Sequence, residues 1–324
     1  MVIVGGGIAG LSAAIYLGRA QRDTLVVDNG KSMAQWEPEV QNYLGFPNGV
    51  GGEDLLRRGA EQARKYGVEI TEDEITQLSR EGKLFQLRGK TKTYIATRVL
   101  LATGILHLPP KIEGVDECLG HSMFFCKDCD GFRVQGKTIL IYGWNNEAVE
   151  YALSMLLYSP LVGVALDAHK PTWDSQHEQW LREHEIPLYP QPIVRVRRDD
   201  SQIRGLVLND GTEVKLDALF TTRGDVYFNR LAKDLGARLD EKGEIEVNEC
   251  LATSVQGLYA AGCVTPANCQ MIIAAGEGAK AGQAINRNLF EESLATHRLR
   301  RFRQEQVAKT ETEPAREAAQ NVNS

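Results

Sequence analysis

Residues 124–132 read FFCKDCDGF, two cysteines separated by two residues in a loop that also carries a lysine and two acids. Cys126 and Cys129 at this spacing can close a small redox ring, whose tuning depends on thiolate stability rather than on packing. Lys127 favours the thiolate and Asp128 opposes it. Two bland uses of the pair compete. A zinc site needs two further ligands, and the chain holds no second CxxC or CxxH. A pair of buried structural thiols conflicts with Lys127, Asp128 and Asp130, which make the loop too polar for a core. The chain has 6 cysteines. Cys118, Cys250, Cys263 and Cys269 are the others, and their number is too sparse for a disulfide scaffold, with only Cys126 and Cys129 read as a close pair.

A second chemistry resides in the glycines. MVIVGGGIAGLSAAIYLGRA followed by TLVVD is strand, glycine turn, helix and strand, in which Gly5, Gly7 and Gly10 form GxGxxG and Asp28 ends the second strand 23 positions after Gly5. Such a turn aims backbone N–H groups and a helix N-terminus at a pyrophosphate, while the acid accepts from ribose hydroxyls. A second unit begins near Lys137: KTILIYG is a strand, residues 146–158 a helix and LVGVALD the next strand, with Asp167 placed 24 positions after Gly143. The segments RVLLATG and GLYAAGC end apolar β-type runs in glycine and read as strand ends facing a cofactor. Residues 270–290 are rich in Ala and Gly, as expected of a helix packed closely on a flat partner.

These elements predict an α/β protein with two Rossmann-like nucleotide-binding domains of three-layer ββα type. A discontinuous first domain spans 1–112 and 247–297, a central domain spans 113–246, and 298–324 is a tail. The chain of 324 residues, 43% hydrophobic and 25% charged, has the mix of a soluble globular protein. A net charge of -6 provides no basic field for phosphate backbones, so nucleic acid is not an expected partner. The uncharged start MVIVGGGIAGLSAAIYL has no basic segment ahead of it, is short for a span and is interrupted by three consecutive glycines, which argues against a leader or anchor. A reducing, cytoplasmic compartment is the expectation. Arg298, Arg300, Arg301 and Arg303 offer a weak case for peripheral contact with anionic lipid, against the commoner solvated helix end.

VIVGGGIAGLSAA, VQNYLGFPNG, LLATG, CKDCDG and GLYAAG together resemble the low-molecular-weight thioredoxin reductases of bacteria, over roughly residues 1–290. The resemblance implies a homodimeric flavoprotein whose first domain binds FAD and whose central domain binds NADPH and carries the redox disulfide. Carried onto this chain, it places FAD on Gly5, Gly7, Ala9, Gly10, Asp28, Gln35, Asn42, Ala102, Gly104, Gly262, Cys263, Gln270 and Met271. It assigns Cys129 as the thiolate facing the flavin, Cys126 as the exchanging thiol and Asp130 as the acid/base, a role for which a carboxyl beside a leaving thiolate is chemically suited. No metal is implied.

Departures from the family pattern carry the finer expectation. Cys263 and Cys269 stand where the family has an Asp that accepts from ribityl hydroxyls and an Arg. The central turn reads Gly143, Trp144, Asn145, Asn146, Glu147, Ala148, so Asn145 replaces the glycine at which backbone approaches the pyrophosphate. Leu166, Asp167 and Ala168 replace the HRR that holds the 2′-phosphate of NADPH. An acid in place of two cations turns attraction into repulsion. Asp167 suits a free ribose diol instead, as in NADH or the adenosine half of a second FAD, with Trp144, Tyr142, Trp173 and Trp180 as stacking candidates and Arg223 as a pyrophosphate partner. The closest branch by these changes is the diflavin-linked disulfide oxidoreductases of photosynthetic bacteria. That resemblance implies two FAD per chain and electron flow from a dithiol donor or thioredoxin-like protein to flavin. The alternatives are a single-FAD thioredoxin reductase driven by NADH or ferredoxin, and a non-catalytic flavin redox sensor.

Overall fold

The computed structural model describes residues 1–299 and Arg303. Two parallel five-stranded sheets form its frame. The first runs in the order 258–260, 99–101, 2–4, 25–28, 69–72, and the second in the order 188–189, 162–165, 139–142, 218–221, 123–124. Their central strands are buried throughout and apolar except at Gly163 and Thr221, as strands covered on both faces must be. Alternation then divides the first sheet between two cores. Val2 and Val4 face Phe85 and Leu87, while Ile3 faces Ala13 and Leu17 of the helix Ile8–Arg19. Ile3 is fully buried, so trimming it to Ala costs on the order of 2–5 kcal/mol.

Small antiparallel sheets attach to each unit, at 75–96 and at 193–215. The two segments that pass between the units pair with each other: Ile105–His107 lies antiparallel to Asp225–Tyr227, with His107 opposite Asp225. Arg223 fastens the same crossing by donating from Nη1 to the carbonyl of Pro109 at 2.5 Å.

The small-residue helix extends over Met271–Ala295. Its close partner is the helix Ile8–Arg19: a Cβ on Gly278 would sit 2.1 Å from the Ala9 carbonyl oxygen, and Ser12 Oγ donates to the Ala275 carbonyl at 2.6 Å. Glycine and serine are required there because the two helix backbones nearly touch. Among the described residues, no helix is long and apolar enough to cross a membrane. Of the basic stretch 298–303, Arg298 and Arg303 are exposed, and Arg300 and Arg301 lie outside the described residues.

Candidate active site

The glycine turn is held by close backbone approach. Gly5 has φ +105°, a left-handed conformation, and a Cβ there would lie 2.3 Å from the Ala102 carbonyl oxygen; a Cβ on Gly10 would lie 1.9 Å from the Gly5 carbonyl oxygen. Gly7 starts the helix Ile8–Arg19 without any side-chain cap. The first-turn amides and the positive end of the helix are thereby left for an anion. Asp28 receives the Gly6 amide on Oδ1 at 2.9 Å, which fixes its carboxylate at the strand end.

The turn opens on a cavity of about 200 Å³ that is continuous with solvent. Gly5, Gly7, Ala9, Asp28, Asn42, Ala102, Gly104, Gly262, Cys263, Gln270 and Met271 all line it, as do Cys126, Cys129 and Asp130 from the central unit. Gly10 packs behind the turn. Gln35 is exposed, and its neighbours Ala34 and Glu37 line the cavity instead.

Cys126 and Cys129 are joined as a disulfide with Cα atoms 5.3 Å apart. Cys126 caps the short helix Lys127–Asp130 and accepts the Cys129 amide on its sulfur at 3.1 Å. A backbone donor to sulfur favours the thiolate once the bond is reduced. Gln270 adds a second donor, with Nε2 at 3.2 Å from Cys126 Sγ and 3.4 Å from Cys129 Sγ. Its Oε1 accepts from Asn42 Nδ2 at 3.0 Å, so one amide ties the FAD-side loop to the disulfide. Gln270 also starts the helix Met271–Ala295, again without a side-chain cap, and the positive end of that helix points into the cavity wall.

Proton-handling groups surround the pair. Asp130 is buried and its Oδ1 accepts from Arg133 Nη1 at 2.8 Å. Burial pushes its carboxyl above the ordinary range, and Arg133 opposes the rise. Glu37, in the same wall, is pushed up to about 7, first by burial and second by the Asp130 carboxylate. His107 stacks on Phe125 with ring centroids 4.8 Å apart and bonds through Nδ1 to Asp225.

The sequence expectation of a single close cysteine pair is corrected: Cys263 and Cys269 form a second disulfide, with Cα atoms 4.8 Å apart, in the wall of the same cavity. These residues are more than substitutions in a flavin contact; they are bonded to each other. The signal lay in their separation of six with VTPAN between them, a proline-bearing turn that returns the chain on itself. Glu37 gave no such signal, since its importance arises from burial beside Asp130.

The central cradle gathers Gly143, Trp144, Asn145, Asn146 and Asp167 at one sheet edge. Asn145 caps the helix Asn146–Met155, its Oδ1 accepting the Ala148 amide at 3.1 Å. Asn146 exchanges bonds with Asp174 across 28 residues. Asp167 accepts from Tyr142 Oη at 2.7 Å and from the Ile193 amide at 2.6 Å. Trp144 stacks on His169 with ring centroids 3.6 Å apart and planes within 2°. Trp173 and Trp180 brace the helix Ser175–Glu183, Trp173 from just ahead of it by donating to Glu178 and Trp180 from within it by meeting His177 edge-on. Arg223 is at the domain crossing described above.

A dinucleotide cradle whose cavity is walled by a CxxC disulfide defines a flavin-linked disulfide oxidoreductase of thioredoxin reductase-like fold. The sequence profile of the pyridine nucleotide-disulphide oxidoreductases matches residues 1–282, and the chain belongs to that family. It is similar to the thioredoxin reductase of Treponema pallidum (strain Nichols), 30% identical over 295 residues that cover 88% of this chain and 95% of the relative. Among solved structures, HlmI superposes with a TM-score of 0.86 at 27% identity, covering 94% of this chain and 96% of the other. A putative thioredoxin reductase TrxB from Bacillus anthracis superposes at 0.82 and 25% identity, covering 90% and 98%.

FAD fits the first cavity on the chain's own geometry: an uncapped helix end and glycine turn for the pyrophosphate, Asp28 for ribose hydroxyls, and a second uncapped helix at Met271. When bound, FAD supplies a two-electron carrier beside the disulfide. The chain contributes the sulfurs, the donors that stabilise them as thiolates, and Asp130 within the same wall to hold or release a proton.

Proposed function

We propose that this FAD-dependent disulfide oxidoreductase takes electrons from a dithiol through Cys126–Cys129 toward flavin, and that its central cradle accepts a second FAD in place of NADPH. The observation that carries this reading is the fixed carboxylate of Asp167, gripped by Tyr142 and by the Ile193 amide at the strand end where a 2′-phosphate needs cations. At ~5 Å and an effective dielectric of about 20, like charges repel by roughly 3 kcal/mol before solvent screening reduces it. The turn also holds backbone strain: Asp167 and Ala168 have φ 48° and 62°, two consecutive non-glycine residues in the left-handed region. The parallel stack of Trp144 on exposed His169 supports a planar ring as occupant. By this reading Cys126 meets the incoming dithiol, whether a small molecule or a thioredoxin-like protein, Cys129 faces the flavin, Asp130 exchanges the proton, and the enzyme works as a homodimer.

Asn145 favours a second reading. Its side chain occupies the Ala148 amide at the helix start, which weakens the cradle for a second pyrophosphate and suits a single-FAD enzyme driven by NADH or by a one-electron protein donor. Flavin stoichiometry separates the two. Acid-denatured holoenzyme releasing close to two FAD per chain supports the first; a ratio near one, with bleaching by NADH or reduced ferredoxin, supports the second. Rapid bleaching by micromolar NADPH overturns both.

A further inference from the structure

Two disulfides open onto one cavity. In the second pair, Cys269 is exposed and Cys263 half-buried, so its sulfurs are open to exchange, whereas bonds that resist reduction are sealed from thiols. A purely structural role explains it poorly. The pair closes a loop with a sequence separation of only six, and short loops gain least from closure in the chain-entropy account. That loop is already held: Thr265 Oγ1 donates to the Gly262 carbonyl at 2.8 Å, Glu277 Oε2 receives the Gly262 amide at 2.7 Å, and the Ala267 amide reaches the Thr265 carbonyl at 2.7 Å. Position matters more. The residue after Cys269 is Gln270, whose Nε2 touches both sulfurs of the first pair at 3.2 and 3.4 Å.

We propose that Cys263–Cys269 is a second redox-active pair, which receives two electrons from reduced Cys126–Cys129 by thiol–disulfide exchange inside the cavity. The proposal rests on the reading that Cys126–Cys129 is reduced in the reaction. A thiolate of the first pair attacks Cys269 Sγ; the Cys263–Cys269 bond breaks, and Cys263 leaves as a thiolate that takes a proton. The remaining thiol of the first pair gives up its proton and attacks the mixed disulfide. Cys126–Cys129 re-forms, and Cys269 departs as a thiolate that takes the second proton. One dithiol is oxidised, one disulfide is reduced, and two protons move with the two electrons. Asp130 and Glu37 share the cavity wall and can carry them. The chain thus stores a second dithiol beside the flavin, available to an acceptor that reaches exposed Cys269.

Peptide mass mapping tests this without relying on turnover. FAD-loaded enzyme is reduced anaerobically with one equivalent of dithiothreitol per chain and quenched with iodoacetamide at intervals. Label is expected first on Cys126 and Cys129 and then on Cys263 and Cys269, with labelling of the second pair slowed about 100-fold in Cys126→Ser/Cys129→Ser. Equal rates in the two proteins, or a second pair that stays oxidised while the first is fully labelled, overturn the relay. Failure of the first pair to label while the flavin stays oxidised overturns the underlying reading as well, and is distinguishable because it appears at Cys126, Cys129 and the flavin absorbance. Two trapping variants guard against misfolding of the double serine mutant. Cys126→Ser/Cys263→Ser and Cys129→Ser/Cys263→Ser each leave one thiol of the first pair with Cys269. A peptide cross-linked through Cys269 to Cys129 or Cys126 is expected in one of them after mild oxidation, and its absence from both overturns the proposal.

Discussion

Gln270 Nε2 stands 3.2 Å from Cys126 Sγ across 144 residues of chain, and through it the FAD-side loop, the C-terminal helix and the disulfide become one unit. A donor to sulfur matters chiefly after reduction, when hydrogen bonds to a charged acceptor contribute roughly 1.5–3 kcal/mol. Gln270→Leu removes it. The midpoint of iodoacetamide alkylation of the reduced pair is expected to move up by about one pH unit or more. An unshifted alkylation curve contradicts the role.

Glu37 sets a pH dependence of stability. Its folded pKa, about 7, lies above the ordinary 4.5, so the folded state retains a proton that the unfolded chain has released. The unfolded form then binds fewer protons, and stability falls as pH rises from about 4.5 to about 7. The contribution is fully present below 4.5 and lost above 7, a change of at most a few kcal/mol. Glu37→Gln is expected to flatten the slope in denaturant melts collected across this window.

Asp130 holds its raised pKa against the pull of Arg133. Arg133→Met removes that pull, so the acid limb assigned to Asp130 in the pH profile of dithiol oxidation shifts to higher pH. Asp130→Asn is expected to lower kcat by about 10²-fold, the usual scale for a lost general acid/base. Stopped-flow flavin reduction measures both. Retention of full rate in Asp130→Asn would falsify its proton-transfer role.

Asp167 is the barrier to NADPH in the proposed function. Asp167→Asn removes the charge and keeps an oxygen that can accept from Tyr142 or the Ile193 amide. NADPH affinity, read by fluorescence titration, should rise about tenfold, equivalent to ~1.4 kcal/mol. Equal affinities in the two proteins remove electrostatics as the reason.

Gly10→Ala places a methyl 1.9 Å from the Gly5 carbonyl oxygen. Because the clash is with backbone, the turn itself must move. Loss of FAD from purified protein is expected, with a smaller loss in secondary structure by circular dichroism.

Much of this molecule is legible along the chain. The strand Val2–Val4, the turn at Gly5 and Gly10 and the helix Ile8–Arg19 follow from local rules, because a continuous apolar run, a left-handed glycine and a close backbone contact are each decided within a few residues. The C-terminal helix was likewise expected near Gln270, although it continues to Ala295. Its surface partner was less legible, since small residues signal close approach without naming what approaches; the neighbour is Ala9.

Amino-acid order alone determined the two glycine turns, the CxxC and the place of Asp167 just beyond a strand, since each is a matter of residue type at fixed spacing. Tertiary structure decided which of those residues meet. It brought Gln270 to Cys126 and half-buried Glu37 near Asp130, so that a carboxyl of ordinary type is pushed up to about 7. Proximity and burial depend on how distant elements pack, and no local spacing encodes them.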